Sequence, residues 1–493
     1  MCYIPAVFSD PAVTEPRARV GRTPAWVQVL DAVTIGLLIV ALAVAVFGGA
    51  RWRILDVRIS LVVWWRPVVA ALAVFALRHL VARHPPLHRR VADGIGRLRE
   101  RLPASAGGRL HLAARLAVVA LVVQFVAGAY RPGTGFTSLI AFGGAFEAQV
   151  TPALRDVPHA VVGIDQAGYD GQFYAQMALD PLLRDRAIDT ALDTPAYRAR
   201  RALFSWTAYV LGLGQPAWVL EAYALQNVLA WLIFAWGLSR WFPVATPRSF
   251  VPWVGCVLGA GIASSVKFAL LDGLGMLVLM LAVIAIERRR HVLATGWLAV
   301  ACLGRETSVL GGAVLVDRLP RSGRAVAALA LAGATIIVPL VVWQAYLRTL
   351  GPAFVGTSDV GRNFAVPFSG FVEAWQVTLA DLAAAGWSAT PSRFSLLELV
   401  GITVQAAYLV LRPAWTQPWW RLGAAYVVLM ALLGTAVWEG SPGAFVRVLL
   451  PLTFAFNVLV TQSRWFWPLA ILGNLSVYHG LEMFRVPWLW PYL

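Results

Sequence analysis

Residues 27–48 read VQVLDAVTIGLLIVALAVAVFG, a run broken by a single ionisable residue, Asp31. A helix needs about 20 mostly apolar residues to cross a hydrocarbon core. The run is too long for the apolar stretch of a signal peptide and lacks a clear cleavage site, so it reads as a retained span. Comparable runs recur at roughly 59–81, 111–130, 216–241, 250–266, 273–287, 291–304, 306–318, 325–348, 395–411, 421–438, 445–461 and 465–480. The 291–304 and 306–318 runs are short, and read either as one broken helix or as a re-entrant hairpin. Composition agrees with this pattern. Hydrophobic residues make up 59% of the chain and charged residues 13%, against about 25% charged in a soluble globular domain. Too few polar groups remain to coat a water-soluble surface. The expected fold is an all-α polytopic membrane protein of about 11–13 transmembrane helices.

The net charge of +16 is carried by arginines grouped between apolar runs, with Lys267 the only lysine. They form no stripe with interleaved aromatics, so nucleic acid is not an expected partner. Short cytoplasmic loops concentrate Lys and Arg. A cytoplasmic N-terminus places Arg17, Arg19 and Arg22 inside, together with the Arg83–Arg109 group, Arg288–Arg290, Arg318–Arg324, Arg412 and Arg421. The loop with Arg51, Arg53 and Arg58 then lies outside, against the rule; it alternates like a strand through Ile54, Val57 and Ile59. The chain divides into a cytoplasmic segment 1–26, two N-terminal spans with a basic loop at 27–110, a main bundle at 111–480 and a tail at 481–493. Two long hydrophilic segments, 131–202 and 349–394, fall on the external side. The first holds eight of the 25 acidic residues and ends in a short apolar stretch, 202–213, suited to a helix lying at the interface. Cys2, Cys256 and Cys302 form no disulfide framework or zinc spacing.

The densest chemistry lies in GIDQAGYDGQFYAQMALDP, residues 163–181. Gly168 and Gly171 bracket Tyr169-Asp170 and permit a tight turn. A helix is expected from Gln172, with Phe173, Met177 and Tyr174 on one face. Asp170 then sits at or just before its N-terminus, where a carboxylate can simply cap the helix. Beyond the loop, Lys267 and Asp272 stand near the outer end of one span, Arg305 and Glu306 interrupt another apolar run, and Glu439 and Arg447 flank a third. Ionisable groups at membrane depth are costly and mark pathways or sites. In this topology all of them converge on the external face, either as local ion pairs or as one cavity.

These features resemble the GT-C superfamily of membrane glycosyltransferases. In that family an early external loop carries an acidic motif followed by tyrosine, here Tyr169 to Tyr174 and on to Pro181. An amphipathic helix with Gly-Pro punctuation follows, here Arg201 to Pro216. A cytoplasmic basic-aromatic turn comes next (Ser239 to Phe242), then a small residue and an Asp at an outer helix start (Ser264 to Asp272), then an Arg beside Glu and Thr (Arg305-Glu306-Thr307). More narrowly, the 169–174 stretch is similar to bacterial proteins of cell-surface glycopolymer formation. The resemblance implies an inverting transferase of the bacterial inner membrane with an external or periplasmic site. It would move a sugar from a polyprenyl-phosphate-linked donor to a cell-envelope glycan or lipid acceptor. Asp170 or Asp165 would be the general base, the motif's Asp-Gly leaving the two open. Arg305, Arg447 and Lys267 would meet the donor phosphate. Tyr169, Gln172, Tyr174, Asp272 and Glu306 would line the substrate site, the tyrosines either stacking on a sugar or packing the loop. Some members use a divalent cation, Mg or Mn, for which Asp170 and Asp272 are the oxygen ligands available. Two other readings stand beside this one: a transporter or flippase of lipid-linked glycans, and a non-catalytic scaffold of an envelope glycopolymer complex.

Overall fold

The computed structural model describes residues 24–47, 50–54, 57–61, 63–81, 105–317, 322–356, 363–440 and 443–485. Most of the expected N-terminal segment 1–26 lies outside them, as do Arg17, Arg19, Arg22, most of the 83–109 arginines, Arg318, Arg321, Cys2 and the tail beyond 485. The chain forms two compact units, 1–101 and 102–493.

In the first unit, α1 (Ala25–Phe47) packs on α2 (Trp65–Val81). The connection is an antiparallel pair, β1 (Ala50–Ile54) and β2 (Val57–Leu61), with Ile54 opposite Val57. The alternation read there in the sequence is therefore a hairpin. A buried ion pair, Arg78 Nε to Asp31 Oδ1 at 3.0 Å, ties α1 to α2. It shields two charges that an isolated span would expose to lipid.

The second unit is helical among its described residues. α3 (Ala106–Ala129) starts at Ser105, whose hydroxyl accepts from the Gly108 amide at 3.1 Å. The hydrophilic segment that follows folds into single turns around α4 (Gly171–Leu179), then α5 (Leu203–Leu211). α5 buries Phe204, Ser205 and Ala208 and leaves Tyr209, Val210 and Leu211 exposed, so the short apolar stretch read at 202–213 is a helix with a largely apolar outer face. The bundle continues with α6 (Pro216–Gly237), α7 (Pro247–Leu258), α8 (Ala260–Lys267), α9 (Asp272–Glu287), α10 (His291–Gly304) and a ten-residue 3₁₀ segment, Glu306–Leu315. Next come α11 (Gly323–Leu350), α12 (Ser369–Ala385), α13 (Thr390–Leu411) and α14 (Pro418–Leu432). The last are α15 (Leu450–Val460), α16 (Phe466–Gly473) and α17 (Ser476–Met483). Proline in the first turn opens α6, α7 and α14, where its missing N–H costs nothing.

Five helices among the described residues are long and apolar enough to cross a membrane: α1, α3, α6, α11 and α13. The pair α7–α8, bent by 43°, is either a sixth, broken span or a re-entrant loop. The protein is thus a polytopic helical membrane protein. Other expected runs form shorter elements. α10 has 14 residues, about 21 Å of helix against a core of about 30 Å, and the Glu306–Leu315 segment packs back against it. The hydrophilic stretch 349–394 contains α12 and the start of α13.

Candidate functional site

Glycine sets the position of the acidic motif. Gly168 takes φ +69°, a left-handed conformation that costs side-chain-bearing residues free energy. At Gly171 a Cβ would stand 2.5 Å from the Phe268 carbonyl oxygen, so α4 meets the end of α8 backbone to backbone. Asp170 directly precedes α4, but its side chain makes no capping bond there. Its carboxylate turns instead to two arginines. Arg198 Nη2 donates to Oδ1 at 2.8 Å, and Arg447 Nη2 lies 3.6 Å from Oδ2.

Those contacts open a larger constellation around a cavity of about 390 Å³. Arg447 also reaches Asp272, with Nη1 3.6 Å from Oδ2, while Arg305 Nη2 is 3.0 Å from Asp272 Oδ1. Arg201 Nε bonds Glu306 Oε2 at 3.1 Å, and its Nη1 donates to the Tyr174 hydroxyl at 3.2 Å. Asp193 takes two further bonds from Arg198, at 2.9 and 2.7 Å. Five arginines (Arg198, Arg200, Arg201, Arg305 and Arg447) and three carboxylates (Asp170, Asp272 and Glu306) line the space. The rest of the lining is largely apolar, with Leu270, Leu271, Phe364, Leu433, Val437 and Val448.

Electrostatics follow from this geometry. The Asp272 side chain is 2% exposed and that of Arg447 9%, while Asp170 keeps 33% of its side chain accessible. Burial by itself would raise the Asp170 carboxyl; Arg198 and Arg447 outweigh it and hold the group below the usual carboxylate range. Burial would likewise lower Arg198, but Tyr174, Asp193 and Asp170 keep it firmly protonated. Arg305 Nε and Nη1 and Arg447 Nε are buried without a hydrogen-bond partner among the described residues, as are both Asp272 oxygens, which are held by ion-pair contacts alone. Buried donors are ordinarily satisfied, so the cavity has donor capacity to spare and an excess of positive charge.

Of the residues singled out in the sequence, Asp170, Tyr174, Asp272, Arg305, Glu306 and Arg447 line this cavity together. Tyr169 stands behind Asp170, stacked on Phe268 at 4.3 Å with its ring 5.8 Å from the Arg447 guanidinium carbon. Gln172 is buried on α4 and ties it to the preceding loop, accepting from the Gly143 amide and donating to the Ala167 carbonyl. Asp165 is exposed and does not line the cavity. Lys267 lines a different one. Glu439, read as flanking the same face, lies with Glu373 and Asp381 in a third. The sequence reading passed over Arg198, Arg200 and Arg201. Their signal was present, as three arginines within four positions on a segment assigned to the external side.

Asp170 and Asp272 do not suit a divalent cation, because Arg447 already bridges them and four further arginines share the cavity. No group of three or more potential metal ligands occurs among the described residues. No protein family, curated protein or solved structure matches the chain. What the geometry itself establishes is a polytopic helical membrane protein with a deep, arginine-rich cavity at the ends of α9 and α10.

Proposed function

We propose that the protein is a membrane glycosyltransferase of GT-C type, using a polyprenyl-phosphate-linked sugar at the external face of a bacterial inner membrane. The reading rests above all on one observation: a partly accessible carboxylate, Asp170, shares a cavity with Arg305 and Arg447 from distant helices and with an apolar wall. The volume lies within the range of small-ligand sites.

In this mechanism the acceptor hydroxyl approaches Asp170, which accepts its proton as the oxygen attacks the anomeric carbon. The bond from that carbon to the phosphate oxygen breaks in the same displacement, so the configuration inverts. The lipid phosphate leaves with the electron pair. Arg305 and Arg447, fixed in a site that excludes most water, stabilise the charge it gains. Arginine suits the task because its planar fork donates two bonds to phosphate. Arg198 keeps Asp170 ionised and oriented, and the proton Asp170 acquires passes to water after product release.

The test is sugar transfer by the purified chain in lipid nanodiscs, with a radiolabelled polyprenyl-phosphate sugar and an envelope glycan acceptor. Asp170→Asn is expected to abolish transfer while leaving insertion and thermal stability close to wild type. Full activity in that variant would remove the assignment. Labelled lipid crossing a bilayer with no sugar transferred would replace it with the flippase reading.

A further inference from the structure

A second cavity, of about 380 Å³, opens where the C-terminal ends of α3 and α8 meet the start of the hydrophilic segment. Three cations line it: Arg131, Lys267 and Arg485. No carboxylate among the described residues does so; Glu482 lies outside the lining, 4.0 Å from Arg485. Arg131 Nη1 is folded onto the Gly128 and Tyr130 carbonyls at 2.8 and 3.1 Å. Lys267 Nζ lies 5.2 Å from the centre of the Phe268 ring, and no hydrogen bond or ion pair engages it among the described residues. The rest of the lining is mainly apolar, including Phe125 and Leu139.

Its setting identifies the occupant. α3 is a span with only 17% of its apolar window buried, and Leu110, Leu116 and Val123 are exposed along it. An acyl chain lying on α3 has its head end at Gln124, Phe125 and Gly128, the residues that enter the cavity. A cationic pocket at the end of a lipid-facing helix complements a phosphate headgroup. We propose that this cavity binds the headgroup of an anionic phospholipid of the surrounding leaflet, with Lys267 and Arg131 meeting the phosphate. Phe268 lines this cavity, with its ring 5.2 Å from Lys267 Nζ and stacked at 4.3 Å on Tyr169, the residue next to Asp170. The inference requires only the membrane-spanning fold and stands whether or not the transferase reading does.

The test is native mass spectrometry of the full chain in detergent with dioleoyl phosphatidylglycerol or dioleoyl phosphatidylcholine. The wild type is expected to retain one phosphatidylglycerol in preference to phosphatidylcholine. Lys267→Met with Arg131→Gln is expected to weaken that retention about tenfold, as loss of a charge-assisted hydrogen bond implies, with phosphatidylcholine unaffected. Arg131→Gln alone, at an exposed position, gives a smaller loss in the same direction if the double variant does not fold. Arg447→Ala is expected to keep the lipid. Unchanged retention in both the single and the double variants would overturn the proposal. So would loss of the lipid in Arg447→Ala alone, which would seat it in the central cavity, or displacement of the lipid by inorganic phosphate at equal concentration, which would make the site one for free anions.

Discussion

Two polar regions lie within the second unit, and their chemistry is opposite. Along α13, α15, α16 and α17 runs a seam of neutral amides. Gln405 Nε2 donates to the Gly473 carbonyl at 2.6 Å while its Oε1 accepts from Thr453 at 2.8 Å. Asn457 and Asn474 exchange bonds at 2.9 and 2.8 Å. A His479–Glu398 contact at 2.6 Å joins α17 to α13. Each of these amides is buried and has its partners inside the seam. The cavity near Asp170 is ionic instead, with more cations than carboxylates and three guanidinium nitrogens unpartnered. Neutral groups that satisfy one another hold spans together. Charges left with donor capacity require something from outside. Polarity alone does not mark a site in a membrane protein, nor does a single unsatisfied atom, since Glu398 Oε2 beside the amides lacks a partner among the described residues; a surplus of cations around a cavity does.

Substitutions can break that contrast. After the abolition expected for Asp170→Asn, the largest effect is expected at Arg447, which joins Asp170 to Asp272. Arg447→Ala should lower sugar transfer by about 100-fold, the scale of losing one preorganised charge donor, and should impair use of the lipid donor more than of the acceptor. Equal impairment of both in steady-state kinetics would argue against a phosphate role. Arg198→Ala should act through pH. A depressed carboxyl keeps its basic form as pH falls through the ordinary carboxylate range, so wild-type activity should hold there and fail only below it. Without Arg198 the raising effect of burial is less opposed, and the acid limb of the pH–rate profile should move to higher pH. An unmoved limb would detach Asp170 from the titration. The smallest effect belongs to the neutral seam. Gln405→Leu removes two bonds and should cost about 1 kcal/mol of stability in detergent unfolding with transfer unchanged. A loss of activity without destabilisation would make the seam functional and end the distinction.

The long spans were legible because lipid-facing helices must be apolar over their whole length. α3 and α11 match the runs read at 111–130 and 325–348, and both are poorly buried by the protein. The shorter elements were read as spans for a related reason. α9 is buried on nearly every face, and hydropathy does not distinguish lipid from protein as the apolar neighbour. Six candidate site residues came together because helix-end charges were legible as such. Lys267 did not join them. Ala269 turns the chain at φ +45°, so Lys267 ends one helix and Asp272 begins another facing a different cavity. The arginines at 198–201 escaped because the path of an irregular segment over a bundle leaves no periodicity to read.

The contact of Gly171 with the Phe268 carbonyl has a mechanical consequence. Asp170 is seated on the end of α8, and Asp272 follows that end by a few residues, so both carboxylates are placed by one arm of a helix pair broken at Gly259. A break lacks the continuous ladder of bonds that stiffens a straight span, and spans adjust their tilt to the thickness of the lipid around them. Gly261 on the same arm lies backbone to backbone against Val446, next to Arg447, so the acidic pair and the arginine that bridges it share one support, and a change in the tilt of that arm reaches all three together.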